Sequence, residues 1–160
     1  MQKNHATATE ESRITAYIGM GSNVGDGKKT LAQAWQRLCA VPGVVGVCLS
    51  SPYLSAPVDM ESGNWFTNSA AQVSTSLSAR ELLMVLQSVE TGLGRTRPKE
   101  KMGYQDRTID LDLLYYGTRV RGEGNLILPH PRIAERLFVL MPLAEIAPRH
   151  VDPEASVTVE

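Results

Sequence analysis

The stretch Thr108-Ile109-Asp110-Leu111-Asp112-Leu113-Leu114 constrains the fold more than any other part of this 160-residue chain. Aliphatic residues at 109, 111 and 113 alternate with carboxylates at 110 and 112, the period of a strand with one face in a core. The pattern predicts a strand over 108–116, closed by Gly117. Ile109, Leu111 and Leu113 go to the core and both acids share the other face, roughly 7 Å apart at the backbone. Two like charges side by side repel and suit β structure poorly. The apolar neighbours, and the aliphatic and aromatic run that follows, predict a central strand, where two acids persist only if cations compensate them. Paired hard oxygen ligands, completed by water and phosphate oxygens, suit Mg²⁺.

Cations lie just upstream. Arg95, Arg97, Lys99, Lys101 and Arg107 share the stretch 95–107 with only Glu100 and Asp106 as acids. The lysines read as a solvated loop. Arg97 and Arg107 fit better as phosphate clamps, because a guanidinium fork matches phosphoryl oxygens and keeps its charge. A basic loop beside a metal-binding strand can close over a triphosphate, exclude water and neutralise developing charge. Pro129-His130-Pro131 fixes a histidine near Arg132 and Arg136, where it serves as a structural hydrogen-bonder or donates to a phosphate.

The remaining pattern predicts one domain over 14–150, with a polar C-terminal tail over 151–160. A strand over 14–19 runs into Gly-Met-Gly-Ser-Asn at 19–23. A helix follows from about Gly27 with Asp26 as N-cap and Leu31, Ala34, Trp35 and Leu38 on one face, stopped by Pro42-Gly43. A strand over 44–49 continues less regularly to Pro57. In a third strand, over 66–75, Phe66, Asn68, Ala70 and Gln72 share a face. Ser78-Ala79-Arg80-Glu81 is a capping box opening a second helix with an apolar stripe of Leu82, Val85, Leu86 and Val89. The segment 119–128 reads as a small hairpin and 133–146 as partly helical. The order βαββαβ is that of a ferredoxin-like α+β fold, an antiparallel-rich sheet flanked by helices.

The glycine loop after the first strand tempts two phosphate readings, and both fail on spacing. Its last glycine is one place late for a dinucleotide fingerprint, and no acid ends the second strand. Gly27-Lys28-Lys29-Thr30 lacks the earlier glycine of a P-loop, since residue 22 is serine. A tight turn needing positive φ at glycine is the simpler reading. The formal charge of −1 gives no global attraction to nucleic acid or anionic membrane. No apolar run approaches the roughly 20 residues of a membrane helix. Residues 1–13 are polar, a disordered lead-in without the apolar stretch of a signal peptide. Cys39 and Cys48 lack metal-site spacing and read as reduced thiols, which points to the cytoplasm.

Several segments together resemble one family. They are Ala-Tyr-Ile-Gly-Met-Gly-Ser-Asn at 16–23, Ser-Pro-Tyr at 51–53, Asn68 after an aromatic, and Gly94-Arg95-Thr96-Arg97. They continue with Asp106-Arg107-Thr108-Ile109-Asp110-Leu111-Asp112-Leu113-Leu114, Leu128-Pro129-His130-Pro131-Arg132, Phe138-Val139-Leu140 and Pro142-Leu143. Over about 16–148 the chain resembles the 6-hydroxymethyl-7,8-dihydropterin pyrophosphokinases of folate biosynthesis.

The resemblance implies pyrophosphoryl transfer from ATP to the pterin hydroxymethyl oxygen, with release of AMP and two Mg²⁺ ions. It implies that Asp110 and Asp112 bridge the metals and that Arg97, Arg107 and His130 contact phosphates, with Arg95 and Arg136 assisting. Gln87 and Glu90 would lie near the nucleotide, and Leu113 would offer backbone to adenine. The pterin would stack between Phe66 and Phe138, its edge read by Asn68, Ser55 and backbone near Val58. The expected partners are the two substrates, and the expected state is a monomer or weak oligomer. Two rival readings are a non-catalytic nucleotide- or pterin-binding module on the same scaffold and a dinucleotide-dependent oxidoreductase. The retained acids and arginines disfavour the first; the glycine spacing disfavours the second.

Overall fold

Ala16, Ile18 and Met20 alternate with Tyr17, Gly19 and Gly21, and this two-faced strand, β1 (Ile14–Ser22), sits inside the sheet. A computed structural model describes residues 12–96 and 105–160; Arg97, Lys99 and Lys101 fall outside them, as does most of the lead-in. Along the chain β1 is followed by α1 (Gly27–Cys39), β2 (Val44–Leu49), β3 (Tyr53–Ser55), β4 (Phe66–Thr75) and α2 (Ala79–Gly92). After these come β5 (Asp110–Tyr116), β6 (Arg121–Glu123), β7 (Leu126–Leu128), a 3-10 turn (Ile133–Glu135) and α3 (Leu137–Ile146). The main sheet has the order β2-β4-β1-β5, with the short β3 beside β4, and its pairings are antiparallel. With β4 taken as the third strand of the motif, this is the expected ferredoxin-like order. β6 and β7 form the expected hairpin.

The helices α1 and α2 begin where local chemistry says they should. The Asp26 side chain accepts from the Lys29 backbone N–H, and Ser78 and Glu81 make a reciprocal capping box. Leu31, Ala34 and Leu38 of α1 and Leu82, Leu86 and Val89 of α2 bury against Ala16, Ile18, Val73, Leu111 and Leu113. On the other face α3 and the 3-10 turn cover Tyr17, Ala70, Leu114 and Tyr115 with Ile133 and Leu143. No helix among the described residues is long and apolar enough to cross a membrane.

Three local expectations are corrected. The acid-bearing strand begins at Asp110 and, among the described residues, lies at the sheet edge, paired only with β1. Its apolar run is explained by cover on both faces, from the α1–α2 core and from α3, and needs no second strand beside it. The glycines at 19 and 21 form no turn. They are strand residues opposite Asp112 and Asp110, and positive φ waits until Gly25. The pairing also shifts between Tyr17 and Ile18: Tyr17 faces Tyr115 and Ile18 faces Leu113, leaving Leu114 as the extra residue of a bulge.

The chain end folds back on the body. Val151 bridges to Thr158, the Tyr115 hydroxyl donates to Asp152 at 2.8 Å, and the His150 ring lies against Tyr17 and Tyr115.

Gly46 of β2 faces α1, where an added Cβ would come within 2.8 Å of the Trp35 ring. Gly46→Ala should therefore cost about 1–3 kcal/mol by overpacking, read as a lower urea midpoint with unchanged slope.

Candidate active site

A pocket opens on the sheet face away from α1 and α2. Its floor is the backbone of Gly19 and Gly21. Because neither residue has a side chain, the strand opposite can present Asp110 and Asp112 over bare backbone. Side chains in their place would fill the space: a Cβ on Gly21 would meet Asn68 Oδ1 at 3.3 Å, and one on Gly19 would meet Leu114 at 3.3 Å. The walls bring together nine of the expected residues, namely Ser55, Val58, Phe66, Asn68, Arg107, Asp110, Asp112, Arg136 and Phe138.

The two acids are not equivalent. Asp110 is ion-paired to Arg95 at 2.6 Å and to Arg107 at 3.2 Å. Arg95 also pairs with Glu90, which is 3% exposed. Burial opposes the Arg95 charge, but Asp110 and Glu90 outweigh it, so its pKa rises. Asp112 has no ion pair among the described residues. Burial, and then the charge of Asp110, pushes its carboxyl up to about 7 against the pull of Arg136 and Arg107.

The opposite end of the pocket is apolar and flat-sided. Phe66 and Phe138 both line it, and each carries a guanidinium at 5.7 Å from its ring centre, Arg107 over Phe66 and Arg136 over Phe138. Asn68 is buried on β4, and its amide N–H donates to the Ser55 hydroxyl at 2.8 Å. That bond fixes the amide's orientation in the pocket wall. Such walls accept a flat heterocycle with a polar edge.

The other expected residues lie around this pocket. Gln87, Glu90 and Arg95 line an adjoining depression on α2 with Thr91. Arg95 joins the two hollows through its pair with Asp110. Burial, with help from Arg136, lowers the His130 pKa, so the ring is neutral near pH 7. Its Nδ1 accepts from the Arg132 backbone N–H at 3.3 Å, which leaves the proton on Nε2 as a donor. The Leu113 side chain is in the core, so only its backbone is available to a ligand. Arg97 lies outside the described residues.

Two residues carry a role that residue-type reasoning missed. Asn23, at the end of β1, holds the Arg107 backbone from both sides: its N–H donates to the Arg107 carbonyl at 3.2 Å and its Oδ1 accepts from the Arg107 N–H at 2.8 Å. Asp106, counted above only as an acid in a basic stretch, gathers donors from Asn23, Ser62 and Asn64. The only sequence signal for Asn23 was its place at the end of the glycine motif. Asp59 also lines the pocket and pairs with Arg132 at 3.0 Å.

Comparison with known proteins bears on the family and the fold. The family model described as 7,8-dihydro-6-hydroxymethylpterin-pyrophosphokinase matches residues 17–148. The 2-amino-4-hydroxy-6-hydroxymethyldihydropteridine pyrophosphokinase of Methylorubrum extorquens is 44% identical over 133 residues, covering 83% of this chain and 82% of that protein. That of Bacillus subtilis is 43% identical over 141 residues, covering 88% and 82%. A solved HPPK-DHPS structure in complex with substrates shares the fold, with a TM-score of 0.67 at 12% identity. The match covers 92% of this chain and 42% of that one.

In a chelator-treated sample the raised Asp112 pKa has a definite sign. Between its unfolded value near 3.8 and about 7 the folded state holds the extra proton. Its contribution to stability is therefore fully present below about pH 4 and lost as the pH rises through 7. Asp112→Asn should remove this part of the decline, measured as urea-unfolding free energy across pH 4–8.

Proposed function

The chain belongs to the 7,8-dihydro-6-hydroxymethylpterin-pyrophosphokinase family, and from that premise we propose that it transfers pyrophosphate from ATP to the hydroxymethyl oxygen of 6-hydroxymethyl-7,8-dihydropterin, releasing AMP, in folate biosynthesis. One observation carries the reading: a single pocket combines the acids 110 and 112, two arginines and an aromatic slot ending in an oriented amide.

The donor set fits Mg²⁺. Both carboxylates are hard oxygen donors, and they line one pocket from the same strand. Among the described residues no cluster of three or more protein ligands gathers there, so phosphate oxygens and water would complete the coordination. Asp110 and Asp112 would hold two ions. Bound Mg²⁺ supplies Lewis-acid polarisation of the phosphates and of the attacking hydroxyl.

The remaining work falls to side chains. Arg95 and Arg107 neutralise Asp110 in the ligand-free pocket and turn toward phosphate oxygens when ATP enters. Arg97, Arg136 and Nε2 of His130 add donors to the triphosphate, while Gln87, Glu90 and the Leu113 backbone face the nucleoside. Phe66 and Phe138 sandwich the pterin ring; Asn68, Ser55 and backbone at Val58 read its edge. Transfer requires the pterin oxygen in line with the β-phosphorus, and the bond from that phosphorus to the α,β-bridging oxygen breaks as the new one forms. The protein works in the cytoplasm as a monomer or weak oligomer.

A non-catalytic binding module on this scaffold would bind both ligands without turnover. Incubation with ATP, Mg²⁺ and the pterin separates the readings: AMP is expected, ADP would indicate ordinary phosphoryl transfer, and no nucleotide product would indicate binding alone. Asp110→Ala or Asp112→Ala should lower turnover by about 10³ or more while circular dichroism stays native. Near-normal rates would overturn the metal assignment. Phe138→Ala should raise the KM for the pterin more than that for ATP, and equal losses would mean that the ring only packs.

A further inference from the structure

Asp106 is solvent-exposed, yet its carboxylate collects three side-chain donors from two separate parts of the chain. Oδ1 accepts from Asn23 Nδ2 at 2.7 Å and from the Ser62 hydroxyl at 2.6 Å; Oδ2 accepts from Asn64 Nδ2 at 3.0 Å. The Ser62 hydroxyl in turn accepts from the Asn64 backbone N–H at 3.0 Å. An exposed carboxylate is well solvated without protein donors, so three of them, holding it ionised and its pKa low, describe a built junction.

The two sides of that junction are the two sides of the pocket. On one side Asn23 anchors the Arg107 backbone to the end of β1. On the other, Ser62 and Asn64 belong to the loop 56–65, which carries Val58 and Asp59 into the pocket wall and leads directly into Phe66. The far part of the loop is tied to the 3-10 region by Asp59 and Arg132. The near part is held by Asp106.

We propose, on the functional reading above, that Asp106 is a positioning residue for the transfer. It fastens the loop 56–65 to the segment bearing Arg107, so that the acceptor wall and the phosphate wall assemble as one body. The carboxylate touches neither substrate. It acts through Arg107 and through the loop, and its loss leaves each wall formed but lets them drift apart by distances that matter for in-line transfer.

The test uses the full chain in four forms: wild type, Asp106→Ala, Asn64→Ala and the double variant. Asp106→Ala should speed amide exchange over 57–65 by about tenfold and lower kcat/KM for the pterin by about tenfold, with the KM for ATP within about threefold. Asn64→Ala should shift the same quantities in the same direction. The double variant should be no worse than Asp106→Ala alone, because both act through one carboxylate. Unchanged exchange over 57–65, independent additive effects, or a lower Tm with both kinetic constants intact would each overturn the proposal. If Asp106→Ala does not fold, Ser62→Ala/Asn64→Ala removes the loop side alone and gives the same readouts. If the wild-type chain makes no AMP, the functional reading fails, and the exchange data still decide whether Asp106 fastens the loop.

Discussion

The antiparallel pairing of β1 with β5 decides where the two paired carboxylates of the pocket stand. Its register sets Gly21 opposite Asp110 and Gly19 opposite Asp112, so each acid faces a residue with no side chain. The same pairing sends Leu111 and Leu113 beneath the sheet, into the core with α1 and α2. A slip of one residue would exchange the two sets, burying both carboxylates among leucines and filling the pocket floor with them. The burial of Leu111 and Leu113 therefore enforces the site: core packing fixes the register, and the register fixes the chemistry.

Within that frame, charge is distributed unevenly on purpose of function. Asp110 is satisfied in the ligand-free protein by two arginines, whereas Asp112 is pushed toward its neutral form by burial and by Asp110 itself. On the proposed function the arginines would have two successive partners, first a carboxylate and then phosphate. A guanidinium can make that exchange without a change in protonation, which a lysine or histidine in a half-buried site would not guarantee. The arginine over each phenylalanine ties the aromatic end of the pocket to the same charge system.

Much of this was legible in the sequence because its causes are local. Asp26 and the Ser78–Glu81 box announce helix starts, and the alternation at 109–113 announces a strand with its acids on one face. Phe66 and Asn68 were placed on a shared face by period alone, and both line the pocket. What failed was tertiary. An apolar run reads the same whether strands flank it or helices cover it, so β5 was expected in the middle of the sheet and lies at its edge. Glycine in a GMGSN run reads as a turn, and only the strand opposite explains why the space above positions 19 and 21 must be empty. Asn23 and Asp106 draw their meaning from partners about 80 and 40 residues away in sequence, which no local pattern encodes.

The extra residue at Leu114 has a consequence for how such a strand tolerates change. Upstream of it, register is held by the burial of Leu111 and Leu113, which sets the acids over the glycines; downstream, by Tyr115 and Tyr116, whose hydroxyls reach Asp152 and the Leu77 carbonyl. The bulge lets both requirements be met on one strand and acts as a phase break between them. Removing one residue there would move the tyrosines to the wrong faces or drag the acids out of the pocket. With the break in place, the aromatic half and the hairpin beyond it can change without disturbing the setting of the acidic half.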